Sequence, residues 1–221
     1  MNVDIEFYSD GECQDGIASV FRGNSRLSIE DNDIPRSIWR RSSDLSRSVL
    51  LLSGLINQCC PNYIVFASRY GEIKRTTQLL GTIANEDELS PMQFSQSVYS
   101  TAPGLLTISS GAKIPFTTIS AGSDSLLMAV TEAISRLKTD PLVKVLVICA
   151  DESLPKVYHA SEGTSNQGLV ALLLKPGGAY SVEIQNDSIK EHEKLSCQSQ
   201  QGNFILSGQQ FSLAFKRTAV C

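Results

Sequence analysis

Little in this chain announces a partner or a compartment. Aromatic residues fill only 7% of its 221 positions, and there is one tryptophan. Lys and Arg number 19 against 23 Asp and Glu, for a net charge of -4 and a pI near 5.2. That balance leaves no footprint for a polyanion, so nucleic acid is not an expected partner. No apolar run approaches the roughly 18 residues that suggest a membrane span, so membrane insertion is not expected either. The opening residues MNVDIEFYSD are acidic and lack the basic and apolar regions of a secretion signal, which reads as a cytoplasmic protein. Cys13, Cys59, Cys60, Cys149, Cys197 and Cys221 form no CxxC pair and no Cys/His cluster. No metal is expected, and the thiols read as reduced. There is no phosphate loop, no internal repeat and no low-complexity tract. With His159 and His192 the only histidines, a general base has few candidates.

What is present is a 42% apolar chain of the right length for one domain or one domain with an appendage. Residues 2–8 alternate Val3, Ile5 and Phe7 with polar positions, the period of a half-buried strand. Ser43-Asp44 is a helix start, and Leu45, Val49, Leu52 and Ile56 give one amphipathic helix over 44–58. YIVFAS (63–68) is a buried strand. Ile73, Thr76, Leu80 and Ile83 mark one face of a helix after Gly71. An acidic loop, 85–91, ends at Pro91. In 94–109 a Pro-Gly interruption precedes a helix carrying Leu105 and Ile108. VKVLVICA (143–150) is the most apolar strand, where Cys149 is a small buried hydrophobe. GLVALLLK (168–175) and AYSVEI (179–184), joined by Pro-Gly-Gly, read as a paired hairpin. Residues 185–203 are polar, and NFILSG with QFSLAF suggests a last hairpin through Gly208. The expected organisation is α/β, a mixed sheet with helices on both faces over 1–184, followed by a polar tail at 185–221.

One stretch stands out. KIPFTTIS, AGSDS and LLMAVTEAISRL (113–137) read as strand, tight turn and long amphipathic helix. A bend of this kind aims its residue at the helix N-terminus, where N–H groups stabilise an anion. That residue is Ser123. Two roles are open to it, nucleophile and helix cap. The turn departs from G-x-S-x-G, with Ala121 and Ser125 at the glycine positions. Asp124 already places a negative charge at the helix start. If Ser123 were a nucleophile, His159 would serve as its base and Asp151 as the orienting acid. The Asp151-Glu152 pair, at the end of a buried strand, is either ligand-facing or occupied with local backbone partners. Arg36, Arg40, Arg41 and Arg47 cluster around the first helix, as a solvated face or a docking surface for an acidic partner.

The ordered motifs FASRYGEIKRTTQLL, LSPMQFSQSVYSTAPGLLTIS, PFTTISAGSDSLLMAVTEAI and VLVICADESLP resemble the N-terminal half of β-ketoacyl synthases. They resemble more closely the short β-ketoacyl-synthase-like N-terminal domains, over residues 44–175. The resemblance implies a thiolase-like half fold with a mixed five-stranded-type sheet layered with helices. It implies that the strand FTTIS crosses a dimer interface, and it sets Ser123 where the synthases carry their nucleophilic cysteine, with Ser120 and Ala121 as the small residues before the elbow. The departures matter. A hydroxyl ionises far less readily than a thiol. Ser100 stands in place of the family's Asn. Neither His159 nor His192 lies in a motif matching the synthase histidines, which belong to a C-terminal half this chain is read as lacking.

The resemblance therefore implies a catalytically inactive subunit similar to a chain-length factor, as in aryl polyene, polyketide or fatty-acid-type biosynthesis. Its expected partners are an active β-ketoacyl synthase, in a 1:1 heterodimer, and acyl carrier protein, with no cofactor. Phe94, Ile114, Pro115, Phe116, Thr118 and Ser120 are the interface or tunnel candidates. The alternative is a serine acyltransferase or hydrolase using Ser123.

Overall fold

A computed structural model describes residues 1–9, 34–162, 168–185, 197–200 and 203–218. Cys13, His192, Cys221 and the glycines at 11, 16 and 23 lie outside the described residues. So does most of the polar stretch 185–203.

Strand β1 (Asn2–Ser9) is followed by helices α1 (Arg36–Trp39), α2 (Asp44–Leu50) and α3 (Ser53–Cys59) and by strand β2 (Tyr63–Ala67). Helices α4 (Ile73–Ala84), α5 (Pro91–Ser95) and α6 (Thr101–Ser110) lead to strand β3 (Phe116–Ile119). A 3-10 turn (Gly122–Asp124) opens helix α7 (Ser125–Thr139), which feeds strand β4 (Val145–Asp151). The short helix α8 (His159–Glu162) precedes strands β5 (Gly168–Pro176), β6 (Tyr180–Gln185), β7 (Cys197–Gln200), β8 (Asn203–Ser207) and β9 (Ser212–Arg217).

All nine described strands form one sheet in the order β3-β2-β4-β5-β1-β6-β9-β8-β7. The mixed five-stranded sheet is its first part: β3, β2 and β4 run parallel, β5 is antiparallel to β4, and β1 is antiparallel to β5. Four further strands continue past β1, so the sheet is larger than the five-stranded type. The β8–β9 hairpin turns at Gly208 and joins the sheet through β6, which pairs with β9 from Tyr180↔Arg217 to Gln185↔Ser212.

Other expectations change as well. β5 and β6 are not partners, because β1 lies between them. The Pro-Gly-Gly link steps over β1, whose Asp4 carboxylate accepts the Ala179 N–H at 2.9 Å. A side chain at Gly177 would occupy the space of that carboxylate. Spacing along the chain cannot show such an insertion, since the inserted strand comes from the N-terminus.

The helix expected over 44–58 is two helices. Leu52 N–H bonds the Val49 carbonyl three residues back, at 3.0 Å, and the helix restarts at Ser53-Gly54, two poor helix formers. Leu45, Val49, Leu52 and Ile56 are nonetheless all buried on one side. At the start, Ser43 caps α2 by accepting the Ser46 N–H at 3.0 Å.

Alternation along the central strands builds two cores. Ile64 and Phe66 of β2, Leu146 and Ile148 of β4, and Ala171 and Leu173 of β5 face α2, α3 and α6. Val65 and Ala67, Val145 and Val147, and Leu172 and Leu174 face α7 through Leu126, Val130, Ala133 and Leu137. Each fully buried Leu, Ile or Phe contributes roughly 1.5–3 kcal/mol.

Helix α6 runs straight through the Pro103-Gly104 pair. Pro103 sits in its first turn, where a missing N–H costs no helical bond. In α4 the side expected to pack inward is partly turned out: Leu79 is buried, while Leu80 and Ile83 are 52% and 55% exposed.

Candidate functional site

The elbow is built from three successive elements. Among the described residues β3 ends the sheet as an edge strand, paired with β2 alone. Gly122 then takes φ +58°, a left-handed bend that glycine adopts without steric cost. Ser125 locks the bend: its buried hydroxyl accepts the Ala121 N–H at 3.0 Å and donates to the Gly122 carbonyl at 2.7 Å. The role of tying the helix start to the turn thus falls to Ser125, two residues after Ser123.

Ser123 is half-buried at the mouth of α7. Its hydroxyl donates to Asp124 Oδ1 at 3.4 Å and accepts Gln209 Nε2 at 3.3 Å, two long hydrogen bonds. His159 Nε2 sits 2.9 Å from the Leu154 carbonyl, which can only accept, so that nitrogen carries the proton. Asp151 is taken up by Ser68 Oγ at 2.7 Å and by the N–H groups of Arg69 and Tyr70 at 2.8 and 3.2 Å. Among the described residues no hydrogen bond joins Ser123, His159 and Asp151, and each has other partners.

The carboxylates at the end of β4 therefore hold the loop that follows β2 and the start of α4. Burial raises the Asp151 pKa, opposed by its three hydrogen bonds. Ser68 Oγ in turn accepts the Gly71 N–H at 2.8 Å. Glu152, also buried, accepts the Lys74 N–H at 2.9 Å, and burial with the neighbouring Glu72 charge pushes it up to about 6. Glu72 accepts the hydroxyls of Ser43 at 2.8 Å and Ser46 at 2.7 Å, linking α2 to α4. Sequence patterns gave no signal for Glu72, because its partners lie 26 and 29 residues away.

The interface candidates fall into separate places. Ser120, exposed at the start of the elbow, meets the Arg69 carbonyl at 3.2 Å and the Tyr99 hydroxyl at 3.3 Å. Thr118 lies half-buried within edge strand β3. Ile114 and Pro115 line an open concavity of ≈ 610 Å³ with Thr107, Ile108 and Ala112. Phe116 begins β3 beside it and packs with Ile114 on the α2/α3/α6 core. Phe94 belongs to a different surface: it is 64% exposed on α5, with Met92, Val98 and the outward side of α4 also exposed. Tyr99 and Gln209, which touch the elbow, had no marker in the sequence.

Arg36, Arg40 and Arg41 are exposed on or beside α1. Arg47 is turned away from them: its Nε donates to the Trp39 carbonyl at 3.2 Å and its guanidinium lies over the Trp39 ring. Among the described residues no group of three His, Cys, Asp or Glu could hold a metal ion. No helix of the described residues is long and apolar enough to cross a membrane.

The sequence profile described as β-ketoacyl synthase, N-terminal domain, matches residues 24–218. No curated protein sequence matches the chain. Among solved structures, the complex of the ketosynthase ApeO with its chain length factor ApeC from Xenorhabdus doucetiae contains a similar chain. The identity is 23% and the TM-score 0.75, over 98% of this chain and 100% of that one. The ishigamide ketosynthase/chain length factor matches at 19% identity and TM-score 0.56, over 69% of this chain and 51% of that one. A β-ketoacyl synthase from Burkholderia phymatum matches at 14% identity and TM-score 0.55, over 76% and 52%. The chain thus spans about half the length of the latter two, and the fold is the thiolase-like fold of the ketosynthases.

Proposed function

This chain belongs to the β-ketoacyl synthase N-terminal domain family, and from that premise we propose that it is a non-catalytic subunit of a ketosynthase pair. In this reading it docks on an active β-ketoacyl synthase as a chain-length factor does and shapes the tunnel that receives the growing acyl chain. The acyl chains are of the aryl polyene, polyketide or fatty-acid type, delivered by acyl carrier protein. The partner synthase supplies the nucleophilic cysteine and the histidines.

The observation that carries this reading is the elbow itself. Strand, left-handed bend and helix are all in place, yet the residue at the bend is a hydroxyl bonded to a carboxylate and a carboxamide. The carboxamide can only donate, the carboxylate accepts at a long 3.4 Å, and among the described residues no His is hydrogen-bonded to the hydroxyl to make it nucleophilic. Two further features fit. Among the described residues β3 has a strand edge with no partner beside the Ile114–Pro115 concavity, and an unpaired edge is a template for another chain. Phe94, Met92 and Val98 are apolar and exposed on α5 and the loop after it, as a surface awaiting a partner is. The exposed Arg36, Arg40 and Arg41 suit an acidic carrier protein.

The test is co-expression with a full-length β-ketoacyl synthase from the same genomic neighbourhood, followed by mass measurement of the purified species. A 1:1 complex is expected, and Thr118→Pro, which bends and blocks the β3 edge, should lower its yield. A chain that elutes alone as a stable monomer beside an unpaired synthase overturns the reading.

A further inference from the structure

The turn between β8 and β9 sits on the elbow. Leu206, Leu213 and Phe215 of this hairpin belong to the same hydrophobic cluster as Leu126, Leu127 and Val130 of α7, which fixes the hairpin against the start of the helix. At the tip, Gly208 N–H donates to the Phe211 carbonyl at 3.0 Å and closes the turn. Gln209 then makes two contacts with consecutive elbow residues: its N–H donates to Asp124 Oδ2 at 2.9 Å and its Nε2 donates to Ser123 Oγ at 3.3 Å. The approach is close enough that a Cβ at Gly208 would collide with the Leu127 side chain and crowd the Asp124 carboxylate.

A serine oxygen that attacks a carbonyl carbon needs a free lone pair and an acceptor for its proton. The Gln209 Nε2 group can only donate, so it takes one of the two lone pairs of Ser123 Oγ, stands beside the other in the path of an incoming carbonyl, and cannot take the proton. The acceptor that Ser123 does reach, Asp124, is held in place by the Gln209 backbone. We propose that the β8–β9 turn is a built-in cover of the elbow, with Gln209 holding Ser123 so that the elbow admits no acyl thioester. The cover belongs to the same chain as the elbow. Gln209 itself is exposed, so its side chain can be removed without touching either core.

Ser123→Cys in the full chain reports on access, read by the rate of alkylation with iodoacetamide resolved peptide by peptide. The introduced thiol should react more slowly than the exposed thiol of Cys60. Adding Gln209→Ala should speed it about twofold, the low end of one net hydrogen bond because sulfur is a weak acceptor, whereas Gln210→Ala should leave the rate unchanged. Gly208→Ala, which displaces the turn, should act in the same direction as Gln209→Ala. The proposal is overturned if the introduced thiol reacts as fast as Cys60, or if Gln209→Ala changes nothing. The measurement uses this chain alone, so its failure would leave the pairing with a synthase untouched, and the reverse also holds.

Discussion

In β2, β4 and β5, helices cover both faces, whereas β6, β8 and β9 contribute one set of side chains to the core around α7. The sequences differ accordingly. YIVFA in β2, VLVICAD in β4 and GLVALLLKP in β5 are near-continuous apolar runs, as strands buried on both faces require. YSVEIQ in β6 and SLAFKR in β9 admit charges, and Ile184 of β6 is 64% exposed. The joint between the two parts is narrow: β1 pairs with β6 at Asn2↔Ser181 and Val3↔Tyr180, and the Val182 N–H donates to the Met1 carbonyl at 2.8 Å. Charge follows the same division. Glu72, Asp151 and Glu152 of the first part are held in loop-anchoring networks, while Glu183 and Lys216 of the second part pair across β6 and β9 with half of each side chain exposed. The first part shapes the elbow and the second lies over it.

The largest effect should separate the two parts directly. Phe66 is fully buried at the centre of β2, and Phe66→Ala should cost about 3–5 kcal/mol, shifting the whole denaturant transition followed by the single tryptophan, Trp39. Phe215→Ala empties a comparably buried site in the second part. Hydrogen exchange should then show β8 and β9 losing protection while β4 keeps it. Equal loss in both parts would mean that the narrow joint transmits fully and the division is only geometric.

A smaller effect depends on pH and belongs to the first part alone. Glu152 has its pKa raised by burial to about 6 from 4.5, so the folded state binds the proton more tightly than the unfolded chain does. Its protonated form favours folding fully below pH 4.5, and that advantage is lost as pH rises through about 6. Above that pH the cost is roughly 2 kcal/mol. Glu152→Gln should therefore raise stability at pH 7, leave it nearly unchanged at pH 4.5, and flatten the slope between. Asp151, also raised, gives a residual slope of the same sign. Unfolding midpoints measured across that range check this, and an unchanged slope in Glu152→Gln would remove Glu152 as its source. The smallest effect belongs to the second part: Glu183→Gln should change stability by less than about 0.5 kcal/mol, and by less still at high salt, because the pair it breaks is half-exposed.

Reading the residues alone recovers the elements that local periodicity controls. The buried strands at β2, β4 and β5, the faces of α2, α3 and α7, the β8–β9 turn and the strand-bend-helix order at the elbow are all legible, because each depends on side chains two to four residues apart. What is not legible depends on distant neighbours. The insertion of β1 between β5 and β6 depends on residues over 170 positions apart, and nothing around Gly177 announces that Asp4 will fill the space of its missing Cβ. The outward turn of Leu80 and Ile83 was hidden for a related reason. An amphipathic pattern shows that a face is apolar, and leaves open whether this chain or another one covers it.

For the elbow, the sequence by itself determined that a serine stands at the bend, that an acid follows it, and that glycine permits the turn, because these are statements about adjacent residues and their allowed backbone angles. Only the tertiary structure decided what Ser123 touches. His159 and Asp151, the partners a nucleophile would have needed, are drawn to Leu154 and to the loop at Ser68–Tyr70, and Gln209 arrives from a hairpin 86 residues away to take the hydroxyl instead. A hydrogen bond forms between whichever donor and acceptor the packed cores bring within about 3 Å of each other, and here that was decided by the docking of the second part of the sheet on α7.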